Sequence, residues 1–330
     1  MSPTSGDVRW DADCKESAKD AEGCVARIGD GAGWSEAELD LPALAVALER
    51  EGPFLAPVGD LRVLGIGFWS RVLETESGWI VRLARAEEAA QRHAYEARVL
   101  PLLAPHLTVA IPAPVSALAP SEVAPFGAIA YPALPGRAMS WSDMAEGDWR
   151  PLARQLGEEL VRLHDISPPA SAGLRVFEAG DFLELRAKVS EHLPARVSPA
   201  EWRTIDAWWE QFSADRSLRE FELVPNHGDL WFGNLLVDED RVSSIVDWEF
   251  VCLGDAAWEL GSLRQNGDPF FEEAVAAYTA RRELDRNWRH RAEQYWALRV
   301  FFGIQFAIDR EDEAEWVDSL RKLREGPILG

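Results

Sequence analysis

Cysteine is scarce in this sequence of 330 residues, and long apolar runs are missing. The cysteines Cys14, Cys24 and Cys252 are odd in number and lack the spacing of a zinc site or of a disulfide framework. Plain thiols of this kind suit a reducing compartment. No apolar run reaches the roughly 18 residues that cross a bilayer, and the amino terminus lacks a secretory pattern. We therefore expect a cytoplasmic protein without a membrane partner.

Positive charge is also in short supply, with 34 Lys and Arg against 56 Asp and Glu and a formal net charge of -22. This balance repels a polyphosphate backbone and an anionic lipid surface, so we expect no nucleic-acid partner. Cationic small molecules are favoured as partners, although acidity of this kind serves solubility equally well. The composition does not specify an oligomeric state.

What the sequence has in abundance is apolar and aromatic surface. Apolar residues make up 47% of the chain, and 15 Trp and 14 Phe provide large side chains for a packed core. A chain of this length exceeds the usual size of one domain, so two lobes around a cleft are expected. Such a cleft is the usual place for small-molecule chemistry.

The polar and acidic residues 1–34 show no lasting periodicity and are predicted to form a loosely ordered leader. A helix over 35–50 follows, with Ser35 as its predicted cap. The next stretch alternates short strand signals with one helix and indicates an antiparallel sheet. Its predicted elements are strands at 61–64, 70–74 and 79–83, a helix at 86–103, and strands near Val115 and Ala128.

The segment 131–136, which contains Pro132, Pro135 and Gly136, interrupts regular structure and is the predicted hinge. It divides a nucleotide-binding lobe at 35–133 from a catalytic and substrate-binding lobe at 134–330. Helical periodicity dominates beyond it, beginning with a helix that carries a stripe of leucines from Leu152 to Leu163. Further helices are predicted at 181–193, 199–215, 268–283, 287–308 and 312–324, with a strand, loop and hairpin at 222–250.

Oxygen-bearing side chains converge in one stretch of the sequence. Asp229 and Asn234 lie in a polar loop flanked by apolar strands, and Asp247 directly follows the next strand. A hairpin of this kind brings the three side chains together. Mg²⁺ binds oxygen ligands and usually takes one or two carboxylates, a set that Asp247 and Asn234 can supply. Asp229 would then accept the proton of an attacking hydroxyl, as phosphoryl transfer requires.

The same segment resembles the catalytic motifs of the aminoglycoside phosphotransferase and choline kinase group, which is related to the protein kinases. The matching residues are His227-Gly228-Asp229 with Asn234 five positions later, and Ile245-Val246-Asp247-Trp248-Glu249. The resemblance implies an α+β, bilobal protein-kinase-like fold, with a small antiparallel β-sheet lobe and a larger, mainly helical lobe.

The resemblance also implies roles for individual residues. Asp229 would be the catalytic base, Asn234 and Asp247 would bind Mg²⁺, and ATP or GTP would be the phosphate donor. His227 would stabilise the loop, with acidic residues within 254–260 bracing it.

The predicted small lobe contains a candidate nucleotide site, made of five residues. Gly65 and Gly67 lie between strand signals, where a glycine turn ending at Ser70 would let backbone amides approach phosphate oxygens. A structural turn explains this pattern equally well. The third strand signal resembles the strand that carries the phosphate-binding Lys of the family, but this chain has Arg82 there. Glu96, fourteen residues later, is its expected ion-pair partner.

The sequence constrains the acceptor less than the reaction. Members of the group phosphorylate aminoglycosides, choline, ethanolamine, sugars, amino alcohols and macrolides. An acidic stretch from Asp309 to Asp318, with Arg310 as its one counter-charge, favours an aminoglycoside-like cationic acceptor, although such a run is also typical of a solvated helix face. Two interpretations from other classes stay open: a catalytically silent nucleotide-binding module, and a protein-interaction domain with a chance motif match.

Overall fold

A computed structural model describes residues 40–67, 69–113, 116–139, 147–177 and 181–330. The predicted leader and the Ser35 cap lie outside these residues. The first described helix, α1, spans Leu41–Glu51, and the Asp40 carboxylate accepts the N–H of Ala43 at 3.0 Å. Asp40 therefore caps this helix, because its side chain satisfies one of the unpaired donors of the first turn.

Five antiparallel strands form the sheet of the small lobe. They are β1 (Leu61–Ile66), β2 (Ser70–Thr75), β3 (Trp79–Ala84), β4 (Ser116–Leu118) and β5 (Ala128–Pro132). The order across the sheet is β1-β2-β3-β5-β4, and helix α2 (Glu87–Leu103) contacts β3 and β5. The predicted meander and helix are confirmed. Val115 lies outside the described residues, and β4 begins at Ser116.

The larger lobe is mainly helical, as predicted. Its helices are α3 (Arg150–His164), α4 (Asp181–His192), α5 (Pro199–Ala214), α6 (Ala256–Ser262), α7 (Asp268–Thr279), α8 (Trp288–Arg310) and α9 (Glu313–Glu325). Its strands are β6 (Arg137–Ala138), β7 (Leu223–Asn226), β8 (Leu235–Asp238), β9 (Arg241–Ile245) and β10 (Cys252–Asp255). Periodicity does not indicate α6 or β10, because elements of seven and four residues are too short to show a period. Within the described ranges, no helix combines the length and the apolar character of a membrane span.

The chain changes sheets within the segment predicted as the hinge. Pro132 pairs with Trp79 in the five-stranded sheet, whereas Arg137 of β6 pairs with Val237 of β8. Gly136 has a φ of +103°, in the left-handed region that favours glycine. We therefore keep 131–136 as the proposed boundary between the lobes.

Helices α3 and α7 pack closely in the main core of the larger lobe. A Cβ at Gly157 of α3 would lie 2.1 Å from the carbonyl oxygen of Ala274 in α7, so only glycine permits this approach. The core side chains of α3 include its leucine stripe: Leu152, Leu156, Leu160 and Leu163. Each fully buried leucine contributes roughly 1.5–3 kcal/mol. The stripe belongs to the same core cluster as Leu230 and Phe232, which follow β7.

Two histidines are buried where helices pack on their neighbours. His93 of α2 has its Nε2 2.7 Å from the Ser70 hydroxyl, and His164 at the end of α3 has its Nδ1 2.9 Å from the Tyr278 hydroxyl. His164 therefore makes a side-chain hydrogen bond at the end of its helix. Burial, together with the charge of a nearby arginine, lowers the pKa of each histidine to about 3; the arginine is Arg82 for His93 and Arg282 for His164.

These histidines predict that acid destabilises the fold. In the unfolded chain a histidine takes up its proton near pH 6.5, whereas in the folded state the pKa of His93 is about 3. Between these values the unfolded chain binds more protons. The free energy of unfolding should therefore fall as the pH falls, by about 1.4 kcal/mol per pH unit for each histidine. Denaturant titrations between about pH 7 and pH 5 measure this slope.

A pair of variants assigns part of the slope to His93. His93→Gln keeps a hydrogen-bonding group near Ser70 but cannot titrate, so it should reduce the slope by about 1.4 kcal/mol per pH unit. Ser70→Ala is the matched control, because it removes the partner hydroxyl and keeps the ring. It should lower stability by about 1 kcal/mol at each pH and leave the slope in place. An unchanged slope in His93→Gln would contradict this assignment.

Candidate active site

Asp229, Asn234 and Asp247 lie in one hydrogen-bonded unit. The loop after β7 contains Asp229 and a short 3-10 turn at Phe232–Asn234, and Asp247 follows β9. The side-chain NH₂ of Asn234 donates to the backbone carbonyl of Asp229 at 2.8 Å, and the backbone carbonyl of Asn234 accepts the N–H of Val246 at 3.0 Å. Asn234 therefore connects the backbone of Asp229 to the residue before Asp247. Its side-chain oxygen stays available as a ligand.

Asp247 has a left-handed backbone conformation, with a φ of +65°. This conformation is uncommon outside Gly, Asn and Asp, and the neighbouring residues hold it in place. The Val246 carbonyl lies 2.9 Å from Nε2 of His227, and the rings of His227 and Trp248 meet edge to face at 4.6 Å. The carboxylate of Asp247 stays accessible, with 47% of its side chain exposed. A loop-stabilising His227 would make contacts of this kind.

Glu259 is fully buried and anchors the start of the loop. Its carboxylate accepts the backbone N–H groups of His227 and Gly228, the latter at 3.1 Å. Gly228 has a φ of +93°, and a Cβ there would lie 2.6 Å from the carbonyl oxygen of Phe250. The loop geometry therefore requires the glycine that precedes Asp229.

Asp229 has a partner that the sequence does not indicate. Its carboxylate lies 3.3 Å from Nη2 of Arg299 on α8, and 34% of its side chain is exposed. Arg299 is 70 residues away in the sequence and belongs to no local motif. Only the packing of α8 beside the loop brings the two charges together.

Arg82 connects the small-lobe sheet to the strand end that carries Asp247. Its guanidinium forms a buried ion pair with Glu96 at 2.6 Å, so the expected partner is in place. The Nη2 group of Arg82 also lies 3.9 Å from Asp247 and 3.7 Å from Glu249. A planar guanidinium with five donors can face several carboxylates at once, which a Lys ammonium does less well.

The charges around Arg82 fit a divalent cation. Three carboxylates, those of Glu96, Asp247 and Glu249, surround this guanidinium. Burial, and after it the charge of Asp247, raises the pKa of Glu249 to about 8. Asp247 and Asn234 offer the oxygen donors that Mg²⁺ prefers. Mg²⁺ usually takes one or two carboxylates, and nucleotide phosphates and water would complete its shell. No group of three or more His, Cys, Asp or Glu side chains in the described part of the chain is arranged to share a metal ion.

Gly67 lies in the connection between β1 and β2, whereas Gly65 belongs to β1 and pairs with Val72, because the strand runs two residues further than the sequence predicts. The Ser70 hydroxyl is engaged within the small lobe. The N–H of Gly67 donates to the Ser70 carbonyl at 2.8 Å, and Gly65 lies beside a register shift in β1. The Ser70 side chain is buried against His93. Gly65 and Gly67 therefore remain proposed phosphate contacts, and of Ser70 only the backbone belongs to the turn.

A sequence profile of the phosphotransferase enzyme family matches residues 61–296, which include Asp229, Asn234 and Asp247. The chain belongs to this family. The residues that carry the predicted chemistry therefore lie inside the matched region, and Arg299 lies just beyond it.

Other phosphotransferases share the fold of this chain. Its structure is similar to the GDP and kanamycin complex of APH(2")-IIIa, with a TM-score of 0.76 and 18% identity over 86% of this chain and 97% of that one. It is also similar to macrolide 2'-phosphotransferase MphH from Brachybacterium faecium, with a TM-score of 0.65 and 25% identity over 87% and 99% of the two chains. These likenesses confirm the protein-kinase-like fold.

A curated relative matches a shorter stretch of this phosphotransferase family member. The uncharacterized protein YcbJ of Bacillus subtilis (strain 168) is 24% identical over 205 residues. That stretch is 56% of this chain and about three-fifths, 61%, of the relative.

Three of the six acidic residues in the stretch from Asp309 to Asp318 form ion pairs. Asp309 forms an ion pair with Lys188 of α4, and Glu313 lies 2.5 Å from Arg196. Asp318 pairs with basic residues of its own helix, α9. The sequence shows one counter-charge within the stretch. The fold adds positive charges from other elements, such as Lys188 and Arg196. These ion pairs reduce the net negative charge of the stretch, and a cationic acceptor stays a prediction.

Proposed function

We propose that this chain is a small-molecule kinase that transfers the γ-phosphoryl group of ATP or GTP to a hydroxyl of an acceptor. The observation that carries the proposal is the hydrogen-bonded unit of Asp229, Asn234 and Asp247, with Arg82 beside it. Membership of the phosphotransferase enzyme family supports the reaction class. A structurally similar aminoglycoside phosphotransferase binds GDP, which supports a purine nucleotide as the donor.

Each residue has one task in the proposed reaction. The partly exposed carboxylate of Asp229 orients the acceptor hydroxyl and takes its proton while the acceptor oxygen bonds to the γ-phosphorus. The bond from that phosphorus to the β,γ-bridging oxygen breaks, the nucleoside diphosphate leaves, and Asp229 passes the proton to water. Mg²⁺ held by Asn234 and Asp247 would neutralise charge on the β- and γ-phosphates. Arg82 contacts the remaining phosphate oxygens.

An aminoglycoside-like compound is the first acceptor to test, and a macrolide is the second. One similar structure contains kanamycin, and another belongs to a macrolide 2'-phosphotransferase. Choline, other amino alcohols and sugars complete the panel. The presence of Arg82 where the family resemblance leads us to expect Lys keeps a nucleotide-binding pseudokinase as a second candidate function.

Acceptor-dependent release of ADP or GDP across this panel tests the proposal. We expect one acceptor to accelerate the release in the presence of Mg²⁺ and to gain one phosphate. Calorimetric binding of the Mg²⁺–nucleotide complex without turnover on any acceptor would favour the pseudokinase. Absence of nucleotide binding would contradict both candidates.

Arg82→Ala is expected to raise the KM for ATP by about tenfold or more, the effect of losing a charged hydrogen bond worth about 1.5–3 kcal/mol. It also leaves Glu96 buried without a partner, so the free energy of unfolding should fall by about 3–5 kcal/mol. Steady-state kinetics and denaturant titration measure the two effects.

Arg82→Lys separates nucleotide binding from folding, because it keeps a positive charge beside Glu96. We expect it to fold and to retain nucleotide use within about tenfold of the native protein. Arg62→Ala, which removes an exposed ion pair with Glu74 on the same sheet, is the control. Unchanged KM and turnover in Arg82→Ala would show that β3 does not hold the phosphates.

A further inference from the structure

Helix α8 is fastened beside the catalytic loop by two buried contacts. Nη2 of Arg291 lies 3.0 Å from the Asp255 carboxylate, and the Tyr295 hydroxyl lies 3.1 Å from the same group. A Cβ at Gly261 of α6 would lie 2.9 Å from the carbonyl oxygen of Ala292, so α6 and α8 touch closely. These contacts fix α8 against the helix that follows the catalytic hairpin.

Arg299 lies on the same face of α8, one turn beyond Tyr295. Residues four apart on a helix share a face, so Arg291, Tyr295 and Arg299 form one row. The first two contact Asp255, and the third reaches Asp229 at 3.3 Å. Only 24% of the Arg299 side chain is exposed. The anchored helix therefore restricts the position of the Arg299 guanidinium, which does not move freely like an exposed surface side chain.

The catalytic loop itself supplies no positive charge near Asp229. Residues 227–234 read HGDLWFGN and contain neither Lys nor Arg. Arg82 pairs with Glu96 and faces the Asp247 end of the site. During phosphoryl transfer, negative charge spreads over the oxygens of the moving group, and catalysis depends on positive groups placed beside them. Arg299, beside Asp229, can place a positive charge next to these oxygens where the acceptor hydroxyl attacks.

We propose that Arg299 is a catalytic residue whose guanidinium binds the oxygens of the transferring phosphoryl group; this role rests on the proposed function. Asp229 must contact the attacking acceptor oxygen, so a guanidinium 3.3 Å from Asp229 lies next to the bond that forms. The acceptor oxygen–phosphorus bond forms, the bond to the bridging oxygen breaks, and the hydroxyl proton goes to Asp229. Arg299 stays protonated throughout, and its fork of donors can bind phosphoryl oxygens while one amino group stays on Asp229.

The test uses ADP, Mg²⁺ and aluminium fluoride, which together mimic the transferring phosphoryl group, with the full-length protein. We expect Arg299→Gln to weaken binding of this mimic by about 100-fold, while ADP with Mg²⁺ alone binds within about twofold of the native affinity. Arg299→Lys keeps the positive charge and should bind the mimic about tenfold more tightly than Arg299→Gln does. If Arg299→Gln does not fold, Arg299→Lys is compared with the native protein instead. Arg289→Gln, at an arginine of α8 paired with Glu272, is the matched control and should bind both ligands normally.

Two results would overturn this role. One is equal binding of the aluminium fluoride mimic by the native protein and Arg299→Gln. The other is an effect confined to the KM of acceptors that carry a carboxylate, because Arg299 would then recognise the acceptor. Failure of the native protein to bind ADP with Mg²⁺ would instead contradict the proposed function, and the role of Arg299 with it.

Discussion

Replacing Asp247 by Ala is expected to abolish Mg²⁺-dependent nucleotide binding and turnover together. The carboxylate is the charged metal ligand of the site, and the metal connects the β- and γ-phosphates to the protein. Without it, the amide oxygen of Asn234 is the one proposed ligand left. Calorimetric titration with ATP, in the presence of Mg²⁺ and then of a chelator, measures this loss directly.

A second variant at Asp247 is needed because Ala does not readily adopt the backbone conformation of this residue. Its φ of +65° is strained for Ala, so Asp247→Asn, which tolerates this conformation, distinguishes metal loss from a damaged hairpin. Asp240→Ala, in the exposed turn between β8 and β9, is the matched control and should bind nucleotide normally. Full Mg²⁺-dependent binding by Asp247→Asn would contradict the assignment of this carboxylate to the metal.

Asp229→Asn is expected to lower kcat by about 100- to 10,000-fold, the usual contribution of a general base. The variant keeps the shape of the side chain but cannot take the hydroxyl proton. Nucleotide affinity should change by less than about twofold, because Asp229 contacts the acceptor and not the phosphate donor. The loss of the part-exposed ion pair with Arg299 should cost less than about 1 kcal/mol of stability.

Kinetics with a verified acceptor, together with calorimetry, separate Asp229 from Asp247. Asp238→Asn, the same substitution at an exposed position of β8, is the control and should leave both measurements unchanged. Near-normal turnover in Asp229→Asn would contradict its role as the base. Loss of Mg²⁺–nucleotide binding as complete as in Asp247→Ala would show that the two carboxylates do not divide the work as proposed.

The fold could be predicted where a pattern repeats over several turns or strands. The leucine stripe of α3 lies on its buried face, and three short strand signals separated by turn residues precede α2, so the sequence pattern predicts these elements. Helix α6 has only seven residues, and its position depends on Asp255 and on the close approach at Gly261. Contacts of this kind belong to the tertiary structure and leave no period in the sequence.

The candidate site likewise contains residues that the sequence predicts and one that only the tertiary structure reveals. Asp229, Asn234 and Asp247 could be found because they lie within 19 residues of one another in the sequence, and local hydrogen bonds join them. Arg299 could not be found from the sequence, because only the packing of a helix distant in the sequence places it at Asp229. The local charge of the acidic stretch could not be predicted for the same reason. Its counter-charges, such as Lys188, come from elements remote in the sequence.

Transfer of labelled phosphate tests the central claim most directly. The native protein and Asp229→Asn would be incubated with Mg²⁺, the best acceptor of the panel and ATP carrying ¹⁸O in its γ-phosphoryl group. We expect the native protein to form one labelled phosphate ester on an acceptor hydroxyl for each ADP released, and Asp229→Asn to form neither at a comparable rate. ADP release at the same rate with and without acceptor, with all the label in inorganic phosphate, would contradict the account.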